Sequence, residues 1–473
     1  MTHFLNATMP VLNASLITLF FTISSYSLVS EKTKAEKPNI LYIFTDQQFG
    51  DAMSNTGNPH LKTPAMDKIA AHGLRFDNAY CAFPLCVPSR MSMFSGRMPH
   101  ESGIFANTTE SAEPYKLPMV GKIMKDNGYE THWTGKWHLT VPENQKEVHG
   151  FNEIFAGGGY GGLDSLKAAN AVEFLSKKHA EPFFLVVSLN NPHDCCELSR
   201  GQELKMDTLG PPPGIDQLPP LPANVDIPEK EPDFLRRFQY ADSSHTFPAI
   251  NWSDKKIREY TWGYYRLVEK VDNDIATILD ALERYGLEEN TVIIFSSDHG
   301  DGLGMHRWNQ KWSLYEASAR VPLIVSWKGK TKGGKATEIP VSAGLDLLPT
   351  ICDFAGIEIP DGSLGKSLRK ISEGKTEVID RKYVVIETGL TTGWASVGED
   401  NFPKARMVRS ERYKYILFDT GNKKEQLFDM VQDPGEMSNL VDDTDYAHVL
   451  QEHRAYFKEW KERTNDSFEV DFL

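Results

Sequence analysis

The segment Asn-Ile-Leu-Tyr-Ile-Phe-Thr at 39–45 constrains this chain most. It is a continuous apolar run of strand length, as a strand covered on both faces must be. A second fully apolar strand is expected at 183–189, with others at 292–295 and 321–327. Helical patterns fall between them. Thr63-Pro64 opens a helix with Thr63 as N-cap and Pro64 at its first position, and Gly73 closes it. Another helix is expected over 117–127, stopped by Gly128, and then a short strand at 130–134. Over 257–284, Ile257, Tyr260, Tyr264, Val268, Val271, Ile275, Ile278 and Leu282 recur at helical spacing. Strands alternating with helices predict an α/β fold: a large mixed, mostly parallel sheet covered by helices on both faces.

Residues 197–253, with Pro-Pro-Pro-Gly at 211–214 and Pro219-Pro220, read as a long surface excursion. Beyond about residue 370 the pattern changes to short strands at 383–386, 405–408, 413–418 and 426–428, then a polar amphipathic helix at 446–462. This predicts a main domain over 38–370 and a smaller C-terminal antiparallel sheet with one helix over 371–473. No internal repeat is visible.

The formal net charge of −14 over 473 residues leaves no broad basic face for nucleic acid or anionic lipid. A pocket on an acidic body can still be locally positive. The apolar run at 16–23 is too short to span a bilayer. Ser25 and Ser27 suit a signal-peptidase cut, although His3 replaces the usual basic residue. Residues 1–30 are therefore expected to be a signal peptide, and the protein to be periplasmic or secreted with no membrane span. Five cysteines are present, and adjacent Cys195 and Cys196 cannot pair with each other without strain. No pairing among the others is readable from sequence.

In a doubly wound sheet, ligands collect at the carboxyl ends of strands. One strand ends in Thr45-Asp46-Gln47, and another runs into Ser297-Asp298-His299-Gly300-Asp301. Each offers an aspartate followed by a neutral ligand type, which suits one cation held between the two ends. Oxygen-rich ligation points to Ca²⁺ or Mg²⁺ over zinc. The same aspartates could simply cap the segments that follow them.

Cys86-Val-Pro88-Ser89-Arg90 raises a different chemistry. With Ser95, Gly96 and Arg97 it matches Cys-x-Pro-Ser-Arg, four residues, then Ser-Gly-Arg. The chain here resembles the formylglycine-dependent sulfatases of the alkaline phosphatase-like superfamily. Chance agreement after the cysteine is on the order of one in a few million at average residue frequencies. The resemblance continues through Thr134-Gly-Lys136-Trp-His138, Asn191-Pro-His193, Ser297 to Asp301, Gly304-Met-His306, Lys311, Tyr315-Glu316 and Arg320-Val-Pro322. It reaches Gln426-Leu-Phe-Asp429 and Asn439-Leu440, so it covers about residues 38 to 441.

The resemblance implies that a maturation enzyme, formylglycine-generating or anaerobic, oxidises Cys86 to formylglycine (3-oxoalanine). The hydrated aldehyde would attack sulfur with one hydroxyl and release sulfate with the other. It implies Asp46, Gln47, Asp298 and His299 as ligands of a divalent ion, Ca²⁺ first and Mg²⁺ as the other candidate. The family commonly has a second Asp at the Gln47 position, so only two charged ligands remain here. Arg90 would stabilise the diol and hold its helix. Lys136 and Lys311 would bind sulfate oxygens. His138 would take the proton that triggers sulfate release, and His193 would protonate the leaving alcohol. His306 is a second candidate for that role or for substrate contact.

Outside the motifs, Arg236 and Arg237 could grip further anionic groups of a substrate or lie on an exposed helix face. Trp252, Trp308 and Trp394 could stack on sugars or pack in the core. Without the family's order, His138 beside Trp137 would read as a packing histidine and Lys136 and Lys311 as surface charges.

The expected activity is hydrolysis of a sulfuric ester on a sulfated oligosaccharide or polysaccharide. Two alternatives stand beside it: a phosphonate monoester or phosphodiester hydrolase of the same superfamily, and a non-catalytic glycan-binding relative. Intact Cys86, Arg90, Lys136, His138 and Lys311 speak against the latter.

Overall fold

Strand β1 (Asn39–Asp46) is buried along its whole length. Alternate side chains explain why: Ile40, Tyr42 and Phe44 enter one core, and Leu41 and Ile43 enter the other. The computed structural model describes Met1 and residues 37–107, 119–157, 163–204, 208–376, 378–390 and 403–471. The expected signal peptide and Trp394 lie outside the described residues. Residues Lys37–Leu473 form one compact unit.

In chain order the strands after β1 are β2 (Gly73–Phe76), β3 (Ala79–Tyr80), β4 (Glu130–Gly135), β5 (Glu153–Phe155) and β6 (Phe183–Pro192). Then come β7 (Thr291–Ser297), β8 (Leu323–Ser326), β9 (Lys335–Thr337) and β10 (Val341–Ser342). Eight of them form one sheet in the order β5-β4-β6-β1-β7-β8-β2-β9. It is parallel from β5 through β7, and β8 runs antiparallel to both β7 and β2. The fold is the α/β architecture expected from sequence.

One face is covered by the helices Cys86–Ser95, Val120–Asp126 and Leu347–Ala355. The other is covered by Pro64–His72, Asp164–Leu175 and Asp254–Arg284. The long helix Asp254–Arg284 buries the predicted stripe, and Ser253 caps it by accepting from the Lys256 N–H.

The last four strands, β11 (Tyr383–Gly389), β12 (Lys404–Ser410), β13 (Tyr413–Phe418) and β14 (Glu425–Asp429), make an antiparallel sheet in sequential order. One face packs against the helix Ala447–Thr464 through Phe457 and Trp460. The other covers Trp308, Trp312 and Tyr315.

Local differences from the sequence reading have identifiable causes. Thr63 does not cap its helix with its side chain; its hydroxyl accepts from the Ser54 N–H at 2.8 Å. The cap comes from Asp272, whose carboxylate accepts the Ala65 and Met66 N–H groups at 3.0 and 2.9 Å. Gly73 is extended and opens β2. The excursion over 197–253 contains the helix Asp233–Ala241. Trp308 is core, at 1% exposure, and Trp252 packs against Tyr260. All five cysteines are buried and free.

The chain terminus is clipped to the small sheet by buried charge. Arg406 of β12 donates to both Asp466 oxygens, at 2.7 and 2.9 Å. Burial alone would raise the Asp466 carboxyl, but the Arg406 hydrogen bond outweighs it and holds the group below its usual range. Its stabilisation is complete above the ordinary carboxylate pKa and lost as pH falls through the depressed value. Asp466→Ala, which leaves the buried guanidinium Glu387 at 3.6 Å as its carboxylate partner, is expected to cost about 1–3 kcal/mol in urea unfolding at neutral pH. Asp471→Ala, at the exposed Lys424 pair, should leave the midpoint unchanged.

Candidate active site

The carboxyl ends of β1, β4, β6 and β7 meet the first turn of the helix Cys86–Ser95, and every residue of that helix is buried. Cys86 stands at its N-terminus. Its Sγ lies 3.0 Å from Lys311 Nζ, 3.2 Å from His299 Nε2 and 3.8 Å from Asp46 Oδ1. Four residues on, Arg90 is fully buried. Its Nη2 donates to Asp46 Oδ2 at 2.7 Å and its Nε to Asp298 Oδ2 at 2.8 Å. Its Nη1 donates to the Lys136 carbonyl at 2.9 Å and to Ser188 Oγ at 3.0 Å. Lys136 Nζ donates to Asp46 Oδ2 at 2.6 Å, and Ser89 Oγ to the Asp298 carbonyl at 2.6 Å.

The electrostatics follow from burial and crowding. Burial raises the Asp46 carboxyl, but Lys136, His193, Arg90 and Lys311 outweigh it, so it stays ionised far below the usual range. Burial and Asp46 push the Cys86 thiol up; Lys311 and Lys136 pull it down further, giving a net lowering. Burial, then Lys136, holds both His138 and His193 well below the ordinary imidazole value.

The surrounding loops are held in strained conformations. Gln47, His138, Gln310 and Trp312 all have left-handed backbones, with φ of 71°, 48°, 67° and 73°. Lys311 is fixed from both sides: its carbonyl accepts from Trp308 Nε1, and Trp312 bonds to the Pro84 and Thr388 groups.

The predicted ligands do not all gather. Ligand atoms of Asp46, Asp298, His299 and Cys86 lie within 4.8 Å of one another. His299 Nδ1 faces the Gly300 carbonyl at 2.9 Å, which leaves Nε2 turned to the cluster. Two carboxylates and an imidazole beside position 86 fit a divalent cation. The Gln47 amide instead turns away, donating to Asp301 Oδ2 at 2.7 Å and meeting Gln310 and the Cys195 and Cys196 thiols.

Asp301 is the residue that sequence reasoning missed as a hub. It is fully buried and also accepts from Tyr260 OH at 2.9 Å and the Leu303 and Gln310 N–H groups. Its place in the motif after His299 was the available signal.

Three further predicted contacts lie apart from the cluster. His306 is buried, stacks on Tyr315 at 4.0 Å and bonds the Gly435 carbonyl through Nε2. Arg236 is committed to Glu231, with Nη2 to Oε1 at 2.6 Å. Arg237 is exposed and 3.6 Å from Asp233.

Residues 38–357 match the family model described as Sulfatase, and residues 304–463 match that described as N-sulphoglucosamine sulphohydrolase, C-terminal. A Delta 4,5-hexuronate-2-O-sulfatase of Bacteroides thetaiotaomicron is 32% identical over 92% of this chain and 90% of its own. An N-acetylglucosamine-6-O-sulfatase of the same organism is 27% identical over 95% of this chain and 91% of its own. A solved structure of a 2-O GAG sulfatase superposes with a TM-score of 0.79 at 31% identity, covering 92% of this chain and 95% of that one.

The geometry separates ligands from neighbours. Adding a divalent cation to chelator-treated protein is expected to stabilise it against heat, by about 2.7 kcal/mol at a hundredfold excess over Kd. Asp298→Asn should abolish that stabilisation in a thermal melt, whereas Gln47→Ala should retain it.

Proposed function

The chain belongs to the sulfatase family of the alkaline phosphatase-like superfamily and is a sulfatase; on that premise we propose that it removes sulfate from a glycosaminoglycan-type saccharide, using formylglycine formed from Cys86 and a divalent cation. The observation that carries this reading is the convergence of Asp46, Asp298, His299, Arg90 and Lys311 on position 86. The likeness to a 2-O hexuronate sulfatase over nearly the full chain supports the substrate class. Oxygen-dominated ligation supports Ca²⁺, with Mg²⁺ the alternative. The apolar run at 16–23 supports export.

The Cys86 thiol marks where the converted side chain stands. When present, the hydrated aldehyde and the cation together supply an activated hydroxyl nucleophile. The chain's own residues do the rest. Lys311 and Lys136 flank position 86 and would take the charge that grows on the sulfuryl oxygens. Arg90 fixes both aspartates, so their oxygens need no reorganisation during the reaction. His138 would accept the proton from position 86, and His193 would deliver one to the departing alcohol. Burial and Lys136 hold both imidazoles below the ordinary value, and an anionic ester beside them would oppose that effect by favouring the protonated form that His193 needs as an acid.

Protein from a maturation-competent host should carry a peptide about 18 Da lighter than the Cys86 thiol form, the difference between aldehyde and thiol at the nucleophile. It should release sulfate from a 2-O-sulfated unsaturated hexuronate disaccharide faster than from 6-O-sulfated N-acetylglucosamine or an aryl phosphonate. Cys86→Ala should release none. An unmodified thiol in active protein, or preference for the phosphonate, would overturn the reading. His193→Ala is expected to slow saccharide esters about 10²–10⁴-fold and aryl sulfates far less, because a phenolate leaves without a proton.

A further inference from the structure

His193 stands just beyond β6, where the regular ladder of the sheet breaks down. β6 pairs with β4 only as far as Ser188. On its other side the register slips, with Phe44 opposite Ser188 but Asp46 opposite Pro192. A step of two residues on β1 thus meets a step of four on β6, and the chain bulges over Leu189 to Asn191. Successive N–H groups of a regular strand point to opposite edges. Here those of Asn190 and Asn191 converge on one side chain. Asp164 Oδ1 accepts the Asn190 N–H at 2.7 Å, and its Oδ2 accepts the Asn191 N–H at 2.8 Å.

Asp164 is the first residue of the helix Asp164–Leu175 and is 5% exposed. Its charge is balanced locally. Lys167, one turn on and fully buried, donates from Nζ to Asp164 Oδ1 at 2.9 Å. The lysine stem lies against Gly135, where an added Cβ would sit 3.3 Å from its Cδ, immediately before Lys136. A buried ion pair is a costly way to satisfy two backbone donors, because both ions must be desolvated. A carboxylate does hold two N–H groups at a fixed spacing with charge-assisted bonds, which a neutral acceptor does not match. What it holds leads directly to His193. The His193 N–H donates to the Asn190 carbonyl at 3.0 Å, and the Asn190 side chain donates to Asp194 at 2.8 Å. The imidazole is thus placed by a turn whose near end Asp164 clamps.

We infer that Asp164, neutralised by Lys167, is a positioning residue for proton transfer from His193 to the leaving alcohol: it sets the reach of the imidazole through the backbone and does not itself touch substrate. This rests on the proposed function, in which His193 is the acid. Positioning matters in proportion to the need for the proton. A saccharide alkoxide needs it and a phenolate does not, so a misplaced acid slows one ester and spares the other. A merely structural carboxylate would, when removed, slow both alike.

The test compares sulfate release from a 2-O-sulfated unsaturated hexuronate disaccharide and from a nitrophenyl sulfate, in full-chain protein with position 86 converted. Asp164→Asn keeps the shape but turns an amide N–H₂ toward one of the three donors it holds. It should lower kcat/KM for the disaccharide about 10–100-fold, and for the aryl ester by less than about threefold. Asp164→Glu, which keeps the charge against Lys167 and lengthens the reach by one methylene, is expected to show the same split; a thermal melt identifies which variants are folded. His193→Ala already lacks the acid, so adding Asp164→Asn to it should slow the disaccharide by less than about threefold more. Equal slowing of the two esters in folded variants, slowing of neither, or full additivity with His193→Ala would overturn the inference. If His193→Ala itself does not discriminate between the esters, the acid role falls and this inference falls with it. If His193→Ala discriminates and the Asp164 variants do not, only the inference falls.

Discussion

One guanidinium joins the ends of four neighbouring strands. Arg90 reaches Asp46 at the end of β1, Asp298 after β7, the Lys136 carbonyl after β4 and Ser188 on β6. These are adjacent strands in the sheet. Fully buried, Arg90 can remain charged only because every one of these groups accepts from it. The dependence runs both ways. Asp46 and Asp298 are buried carboxylates whose charge Arg90 offsets, with Lys136 sharing that role at Asp46. The helix Cys86–Ser95 is therefore locked to the sheet by the same contact that shapes the ligand cluster, so position 86 cannot drift from the two aspartates without breaking buried ion pairs. Fold and site share one interaction.

Much of the architecture was legible because it obeys simple periodicities. β1, β6 and β7 are buried along every residue, and each shows as an apolar run. The helix Asp254–Arg284 buries the stripe its spacing announces. β5 and β9 escaped notice because they are three residues long and largely exposed, so they carry no alternation to detect. The cap on Pro64–His72 escaped because it is supplied by Asp272, some two hundred residues away in sequence. No local reading finds a donor–acceptor pair that only the tertiary fold brings together.

The site shows the same division. Motif order found Asp46, Cys86, Arg90, Asp298, His299 and Lys311, which the fold does gather. It also suggested Gln47, adjacent to Asp46. A strand turns successive side chains to opposite sides, and Gln47 adds a left-handed backbone, so its amide enters the Asp301 cluster instead. His306 was suggested by motif order and Arg236 by residue type, but each is consumed by a nearby acceptor: the Gly435 carbonyl for one, Glu231 for the other. Residue type proposes a contact; competition from the fold decides it.

The acidity of the chain and the anionic nature of a sulfate ester are compatible for a physical reason. At physiological ionic strength exposed charges are screened beyond about 8 Å, so the surface total of −14 is felt weakly inside a recessed pocket. What the ester meets at close range is local. Arg90, Lys136 and Lys311 stand against Asp46 and Asp298, a balance of +1, and a divalent ion on the same carboxylates would bring it to +3. Attraction thus switches on only at the mouth of the site, where the groups that bind the anion are also those that stabilise its charge during reaction. Selectivity among sulfated substrates then has to come from the saccharide side of the pocket, because the sulfate side is nearly saturated with positive charge.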